Sequence, residues 1–570
     1  MGTHTILEYA LFAAILTALV KPLGGYVARV FSRKRTLLDR PCLAMERLIY
    51  RIARVDPERE MDWKEYATCF VLFGLIGEIV LYFILRLQQF LPWYFPQYLT
   101  TRLTPHLALN TAVSFATTTT WQAYAGESTM SYFSQMAGLC AQNFLAGGAG
   151  LAVGIAFIRG LTRQRSETLG NFWVDLTRAL LWVLLPGALL GAVLLVWQGV
   201  PMSTQNYAVA TSLEGAKQVI PQGPVAALEI IKNLGTNGGG FFNANGAHPY
   251  ENPTPLANFL ELLSIVLLPA ALTNTFGRMS GQPRQGWVLF VVMLSLFTAG
   301  LIAVNRFEHR VDHGMASGLS TQDSNIRNME GKEVRFGIKD SALTAVVTSN
   351  TATGSYNSMH DSYTSLGGMV LLVNMLLGEV IFGGLGTGLY SMVMAAAIAV
   401  FLAGLMIGRT PEYLGKKIGQ AETKMMMLYA LASPLLILPL TAIAVSGKAG
   451  VAGLVANGGP HGFTEILFAY TSCFANNGQN FAGLDANSVF YNLTTALAMT
   501  VGRFGLAIPA LGFAGLVANQ QSTPTSSGTL PTDSMVFGVL LTASLIIIGA
   551  LSFLPAVVLG PALERLLSGV

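Results

Sequence analysis

The chain has 570 residues, of which 52% are hydrophobic and 11% charged, and its net charge is +4. A water-soluble domain carries about a quarter charged residues, so a surface facing water on all sides is excluded, and so weak a positive balance gives no footprint for nucleic acid. The four cysteines (Cys42, Cys69, Cys140, Cys473) are dispersed, without the paired spacings of zinc or redox motifs.

Apolar runs follow one another at 6–28, 67–88, 133–158, 173–198, 256–275, 286–304, 366–407, 425–446, 488–518 and 536–563. Roughly 20 helical residues span the hydrocarbon core of a bilayer, so these runs predict about ten transmembrane helices. The first is not followed by a small-residue cleavage site and is read as a mature helix. Runs 366–407 and 488–518 are too long for one straight helix and contain glycines, which predicts tilted, kinked or broken helices.

Basic residues fall on alternate connections: from Arg29 to Arg59, then Arg159, Arg163 and Arg165, then Arg278 and Arg284, then Arg409, Lys416, Lys417 and Lys424. The positive-inside rule assigns these connections to the cytoplasm and both termini to the outside. The connection 305–362 mixes basic residues with Glu308, Asp312, Asp323, Glu330, Glu333 and Asp340, and its length weakens its vote.

Four outward connections share one texture. They contain "TAVSFATTTTWQAYAGES" (111–128), "NLGTNGGGFFNANGAHPYENP" (233–253), "ALTAVVTSNTATGSYNSMHDS" (342–362) and "EILFAYTSCFANNGQNFAGL" (465–484). In each, a small-residue or apolar segment runs into Thr, Asn, Ser and Gly. From Gln122 to Gly238, Gly354 and Gly478 the steps are roughly 116, 116 and 124 residues, a period suited to transporter repeats. The chain then divides into a leading helix with its basic segment (1–62), repeats at 63–165, 166–282, 283–420 and 421–520, and a trailing helix (521–570).

One Gly/Asn/Thr-rich loop is ordinarily a surface turn; four on one side at similar spacing ask for more. Irregular backbone at membrane depth is tolerated only where protein buries it or a water-filled cavity meets it. Four such strips around one axis satisfy that condition, and their carbonyls can replace the hydration shell of a cation. Glycine permits the required backbone angles. The Gly/Thr/Asn strips themselves hold no carboxylate, Glu251 and Asp361 lying downstream of them, which favours a monovalent ion over calcium or magnesium. The expected fold is therefore an all-α polytopic membrane protein with four helix–pore-loop–helix repeats around a pseudo-fourfold pore.

"IKNLGTNGGGFFNANGAHPYENPT" (231–254), "NSMHDSYTSLGGMV" (357–370), "GEVIFGGLGTGLY" (378–390), "MIGRTPEYLGKKI" (406–418) and "ANNGQNFAGLDAN" (475–487) closely resemble the potassium-binding A subunits of the Kdp potassium-transporting ATPases. These belong to a superfamily of potassium transporters with four helix–pore-loop–helix units. The resemblance implies a selectivity filter for K+ made by Thr117, Thr118, Thr119 and Gln122, by Thr236, Asn237 and Gly238 with Asn245 further along, by Ala352, Thr353 and Gly354, and by Asn476, Asn477 and Gly478. The family's first loop reads Thr-Asn-Thr-Asn-Trp-Gln, whereas this chain has Thr118 and Thr120 at the two Asn positions.

In that family ATP is bound and hydrolysed by a separate P-type ATPase, the catalytic B subunit, and the C and small F subunits complete the complex in the bacterial inner membrane. The sequence agrees with a non-catalytic role: it has neither an Asp-Lys-Thr-Gly-Thr phosphorylation motif nor a Walker-type phosphate loop. No organic cofactor is implied. The same architecture also serves autonomous potassium channels and ion-coupled symporters, which form the alternative reading.

Glu379 and Arg503 interrupt the two overlong runs. Intramembrane charges are costly and commonly paired, so they are expected to form an ion pair near the inner end of the pore, as a gate or as a structural tie. Glu78 and Asp175 are expected to be structural. His309 and His313 read as loop histidines, and His248 and His360 as groups whose hydrogen bonds orient the loop backbone.

Overall fold

The computed structural model describes residues 3–309, 328–406, 408, 411–523 and 530–567. Arg409, Asp312 and Asp323, used in the charge reading above, and His313, read as a loop histidine, lie outside the described residues.

Helix α1 (Thr3–Phe31) leads, and α2 (Asp39–Ala53) occupies the basic connection after it. Four units follow, each a long helix, a short buried helix ending in a loop, and a return helix. The first is α3 (Trp63–Phe90), α4 (Pro105–Ala116) and α5 (Ser134–Thr162). The second is α6 (Phe172–Trp197), α7 (Val225–Leu234) and α8 (Pro255–Met279). The third has α9 (Pro283–Glu308), α10 (Gly337–Asn350) and a divided return, α11 (Ser365–Leu376) and α12 (Thr387–Met406). The fourth is α13 (Gln420–Ser446), α14 (Gly459–Phe474) and α15 (Val489–Ala518), and α16 (Met535–Leu567) closes the chain. Ten helices among the described residues are long and apolar enough to cross a membrane. Among the described residues three short antiparallel ribbons pair Met61–Asp62 with Thr168–Gly170, Ala208–Thr211 with Lys217–Ile220, and Glu412–Tyr413 with Lys416–Lys417.

Local chemistry sets the helix starts. Asp62, Thr104, Thr254, Thr364, Ser488 and Ser534 each accept a bond from the backbone amide three residues on, satisfying a donor that would otherwise lack a partner. Pro105, Pro255 and Pro283 occupy first helical positions, where their missing N–H costs nothing.

Burial separates inner from outer helices. In the return helices α5, α8, α12 and α15, 83, 67, 61 and 72% of the apolar window is enclosed, against 22% in the opening helices α3 and α13. The return helices form the centre of the molecule and α1 stands outside it, against α8. There a β-carbon on Gly24 would lie 2.5 Å from the Ala271 carbonyl oxygen, and Thr275 donates to the Gly24 carbonyl at 3.1 Å. Such close backbone approach is how membrane helices gain packing energy without a hydrophobic drive.

The two overlong runs resolve differently. Run 366–407 breaks at Leu376 and resumes at Thr387, with Glu379 and Phe382 in the left-handed region. Gly386 (φ 94°) lies so close to α5 that a β-carbon would stand 2.1 Å from the Gly150 oxygen. Run 488–518 stays one helix and widens into a π turn at Val501–Gly505, around Arg503. Wide turns of this kind absorb an extra residue without a break.

The basic connections meet at one end of the molecule. Lys416 donates to the carbonyls of Gly160 and Arg163, Arg163 pairs with Glu60, and the Gln285 amide donates to the Tyr413 hydroxyl. At the other end the loop-bearing connections interlock, with Arg335 donating to the Asn252 and Ala247 carbonyls and Tyr207 to that of Glu127.

Candidate ion site where four loops meet

Each short helix delivers its loop to the centre. After α4, Thr118 (φ 65°) and Thr120 (φ 49°) are left-handed and Thr119 between them is not. After α7, Thr236 (φ 52°) and Gly238 (φ 97°) flank Asn237; after α14, Asn476 (φ 53°) and Gly478 (φ 87°) flank Asn477. Alternating hand is a backbone pattern that lets successive carbonyls face one side of a strip, the arrangement of a carbonyl-lined filter. The third loop is the exception: Ala352, Thr353 and Gly354 lie outside the left-handed region.

The loops touch in a closed cycle. Thr120 Oγ1 donates to the Asn237 carbonyl at 2.7 Å, joining the first loop to the second. The Gly354 amide donates to the same carbonyl at 3.3 Å, joining second and third. A β-carbon on Gly354 would stand 2.6 Å from the Asn477 oxygen, where the fourth loop passes, and the Asn477 amide donates to the carbonyls of Thr348 and Thr351 at 2.7 Å. The ring closes with Asn476 Nδ2 donating to Thr119 Oγ1 at 2.9 Å and with Gly478 against the Thr119 carbonyl.

The residues named from sequence are brought together, in two roles. Thr117 lies beneath the first loop, its hydroxyl 2.9 Å from that of Thr119. Thr236 accepts from the Leu385 amide at 2.7 Å, tying the second loop to the break before α12, and Ala352 packs by Gly384 in that break. Thr353 is wholly buried. Gln122 exchanges two hydrogen bonds with Gly240, accepting at 2.8 Å and donating at 2.9 Å, and Asn245 Oδ1 accepts from Lys232 and Gly246. The side-chain oxygens of Gln122 and Asn245 are therefore committed to protein partners.

Above the ring lies a cavity of about 700 Å³ with Thr120, Gly239, Gly354 and Gly478 at its floor, one residue from each loop. Below it, a cavity of about 100 Å³ begins at Asn476 and Thr471 and continues past Glu379 and Thr387. Its far wall is formed by Tyr429 and Ile437 of α13 and Leu545 and Phe553 of α16.

Sequence reading missed the buried charges behind the loops. Lys232, wholly buried at the end of α7, donates to Glu229 at 2.7 Å, Glu251 at 2.7 Å and Asn245 at 2.9 Å. Its carbonyl accepts from the amides of Asn237 and Gly238, and Glu251 accepts from the Phe242 amide. One lysine thus anchors both ends of the second loop. Behind the third loop, buried Lys332 pairs with Glu308 at 2.9 Å, and Glu308 accepts from the Thr364 amide and hydroxyl. The signal for the first cluster was a Glu and a Lys at i, i+3 in a charge-poor segment.

Glu379 and Arg503 are not joined by an ion pair within 4.0 Å among the described residues. Glu379 lines the lower cavity within electrostatic range of Arg503, whose direct contacts are the Ala146 carbonyl of α5 at 3.0 Å and the Phe70 ring at 5.5 Å. The π turn aims Arg503 at α5 and the glycine break places Glu379 on the cavity, so the expected direct pair is absent. Asp175 is held by Arg159 at 2.9 Å and by the Tyr66 hydroxyl at 3.0 Å. His248 accepts from the Tyr250 amide and stacks on Phe242 at 3.9 Å; burial holds its imidazole below the ordinary value, with Glu251 opposing. His360 departs from expectation: it has no hydrogen-bond partner among the described residues and sits between Tyr356, Tyr363 and Phe468.

Residues 10–566 match the family model described as potassium-transporting ATPase A subunit. A potassium-transporting ATPase potassium-binding subunit of Methylorubrum extorquens is 53% identical over 98% of this chain and 97% of its own length. That of Solibacter usitatus is 50% identical over 100% and 99%. The crystal structure of the potassium transporter TrkH from Vibrio parahaemolyticus superposes with a TM-score of 0.50 at 13% identity, covering 86% of this chain and 96% of that one, which is a likeness of fold.

Proposed function

Because the chain belongs to the family of potassium-transporting ATPase A subunits, we propose that it is the potassium-binding, ion-selecting and translocating component of an ATP-driven potassium uptake complex. The observation that carries this reading is the closed cycle of four loops between an upper and a lower cavity.

Moving an ammonium-sized ion into a low-dielectric interior costs on the order of 20 kcal/mol, so many oxygens must share the dehydration. Thr117, Thr118 and Thr119, Thr236, Asn237 and Gly238, Ala352, Thr353 and Gly354, and Asn476, Asn477 and Gly478 supply them, chiefly as backbone carbonyls. Gln122 and Asn245 act as braces. Potassium arrives from the upper cavity, loses its water in the ring and passes to the lower cavity beside Glu379. The step is binding and selection, with no covalent chemistry in this chain.

ATP is bound and hydrolysed by a P-type partner, the B subunit, and the C and F subunits complete the assembly. The basic end faces the cytoplasm, which puts both termini outside the bacterial inner membrane.

The test is Gly238→Ala in the assembled complex, with ATPase stimulation by potassium, rubidium and ammonium. A flattened preference order is expected, and an order like that of the wild type would remove the second loop from the filter. The purified chain alone in liposomes separates the rival reading: steady ATP-independent potassium flux would make it a channel or symporter.

A further inference from the structure

A second group of ionisable side chains stands apart from the ring, at the outer end of α14. His461, in the first turn of that helix, points Nε2 at Asp361 Oδ1 (2.9 Å), beyond the third loop, and at Glu465 Oε1 (3.8 Å), one turn on. Its other nitrogen, Nδ1, meets Glu564 Oε1 at 3.0 Å, from the end of α16. One donor atom from each of Asp361, His461 and Glu465 falls within 4.8 Å of the others. The Glu465 side chain is wholly buried; Asn457 Nδ2 donates to its Oε1 at 3.1 Å and to Asp361 Oδ2 at 3.2 Å, and its Oε2 has no hydrogen-bond partner among the described residues.

We propose that Asp361, His461 and Glu465 form a binding site for a divalent transition-metal ion of the zinc type. Bonds of about 2.0–2.1 Å in a tetrahedral site set neighbouring donors roughly 3.3 Å apart, and the two separations at Nε2 bracket that edge. Three protein donors with a fourth position left to water is the open form of such a site. Glu564 on the remote ring nitrogen is the carboxylate that fixes the tautomer and orientation of a ligating histidine. The Asn457 amide bridges the two carboxylates but leaves Glu465 Oε2, buried beside Asp361, as an oxygen that a cation would satisfy while easing the repulsion between like charges. Entry is open from outside, since the side chains of Asp361, His461 and Glu564 keep 16, 12 and 20% of their surface exposed. An ion there would clamp the outer arm of the third loop and α16 to α14.

The test is independent of transport. The assembled complex, stripped with a chelator and titrated with zinc alone, should take up one ion per chain in this site, with X-ray absorption showing one nitrogen and carboxylate oxygens at about 2.0 Å. Glu465→Gln keeps the shape of the side chain and His461→Ala removes the central ligand; both should abolish that signal. Glu564→Gln should weaken zinc binding by about 10–100-fold. Wild-type protein without a bound ion at saturating zinc, or with zinc unchanged in Glu465→Gln, overturns the proposal. The wild-type measurement decides even if a variant fails to fold.

Discussion

Lys232 Nζ lies 2.7 Å from Glu251 Oε2 with both side chains wholly buried, and the chain between them is the second loop. The loop is thus pinned from behind by a charge pair, while its front faces the ring. Removing one partner of a buried pair costs about 3–5 kcal/mol because the other is left uncompensated. Lys232→Met should therefore lower thermal stability sharply and abolish potassium stimulation together. Lys232→Met with Glu229→Gln and Glu251→Gln should recover part of the stability without recovering the potassium response. Thermal melting and ATPase assays on the same preparations check both halves.

Gly478 tests the ring from its other side. It is left-handed at φ 87°, and a β-carbon would stand 1.9 Å from the Thr119 carbonyl oxygen. Alanine must push the first loop away, so the apparent potassium affinity of Gly478→Ala should fall at least about tenfold, or 1.4 kcal/mol. Potassium titration of the complex measures it, and an unchanged midpoint would show that these two loops do not share an ion.

The two threonines at family asparagine positions should respond differently to the same change. Thr118 and Thr120 are β-branched residues in the left-handed region, which costs roughly 1–2 kcal/mol and which asparagine tolerates better. Among the described residues Thr118 Oγ1 bonds only within its own strip, to the Thr117 carbonyl, so Thr118→Asn should raise the melting temperature. Thr120 Oγ1 holds the Asn237 carbonyl of the next loop, so Thr120→Asn forfeits a buried bond worth about 1 kcal/mol and should give no gain. Melting curves of the two variants, side by side, are the check.

His248 makes the outer arm of the second loop sensitive to acid. Its Nδ1 must be unprotonated to accept from the Tyr250 amide, and burial holds its folded-state pKa below the ordinary 6.5. As pH falls through 6.5 the unfolded chain takes up the proton first, so stability drops between the unfolded and folded values. The melting temperature of the wild type should therefore fall more steeply between pH 7 and pH 5 than that of His248→Gln. Parallel slopes would remove His248 as the titrating group.

The ten long helices were legible because each apolar run carries its own length, whereas their starts, set by capping Thr, Ser and Asp side chains, were not read from the sequence. The loops were legible from their glycines and asparagines, above all Gly238 and Gly478. What stayed hidden depends on contacts between distant residues. Lys232 and Glu229 look like an exposed helix pair until Glu251 and Asn245 fold over them. Lys332 lay in a stretch of mixed charge that reads as solvated, yet it is buried against Glu308. The glycines of run 488–518 suggested a break, but a π turn lets the helix continue, and only the packed structure shows which way Arg503 then points.

That direction yields the last prediction. A direct ion pair between Glu379 and Arg503 would allow an exchange of charges to restore function. Instead Arg503 donates to the Ala146 carbonyl and covers the Phe70 ring, so a carboxylate at this position would face a carbonyl oxygen and an aromatic face, both of which repel it. Arg503→Glu should therefore prevent stable assembly, and adding Glu379→Arg should not rescue it. Arg503→Lys keeps the charge and one donor and should retain assembly with lower thermal stability. Glu379→Gln, which leaves α5 and α15 in register, should assemble normally and change only transport, because Glu379 lines the lower cavity. Recovery of assembly by the double exchange would show instead that the two side chains meet.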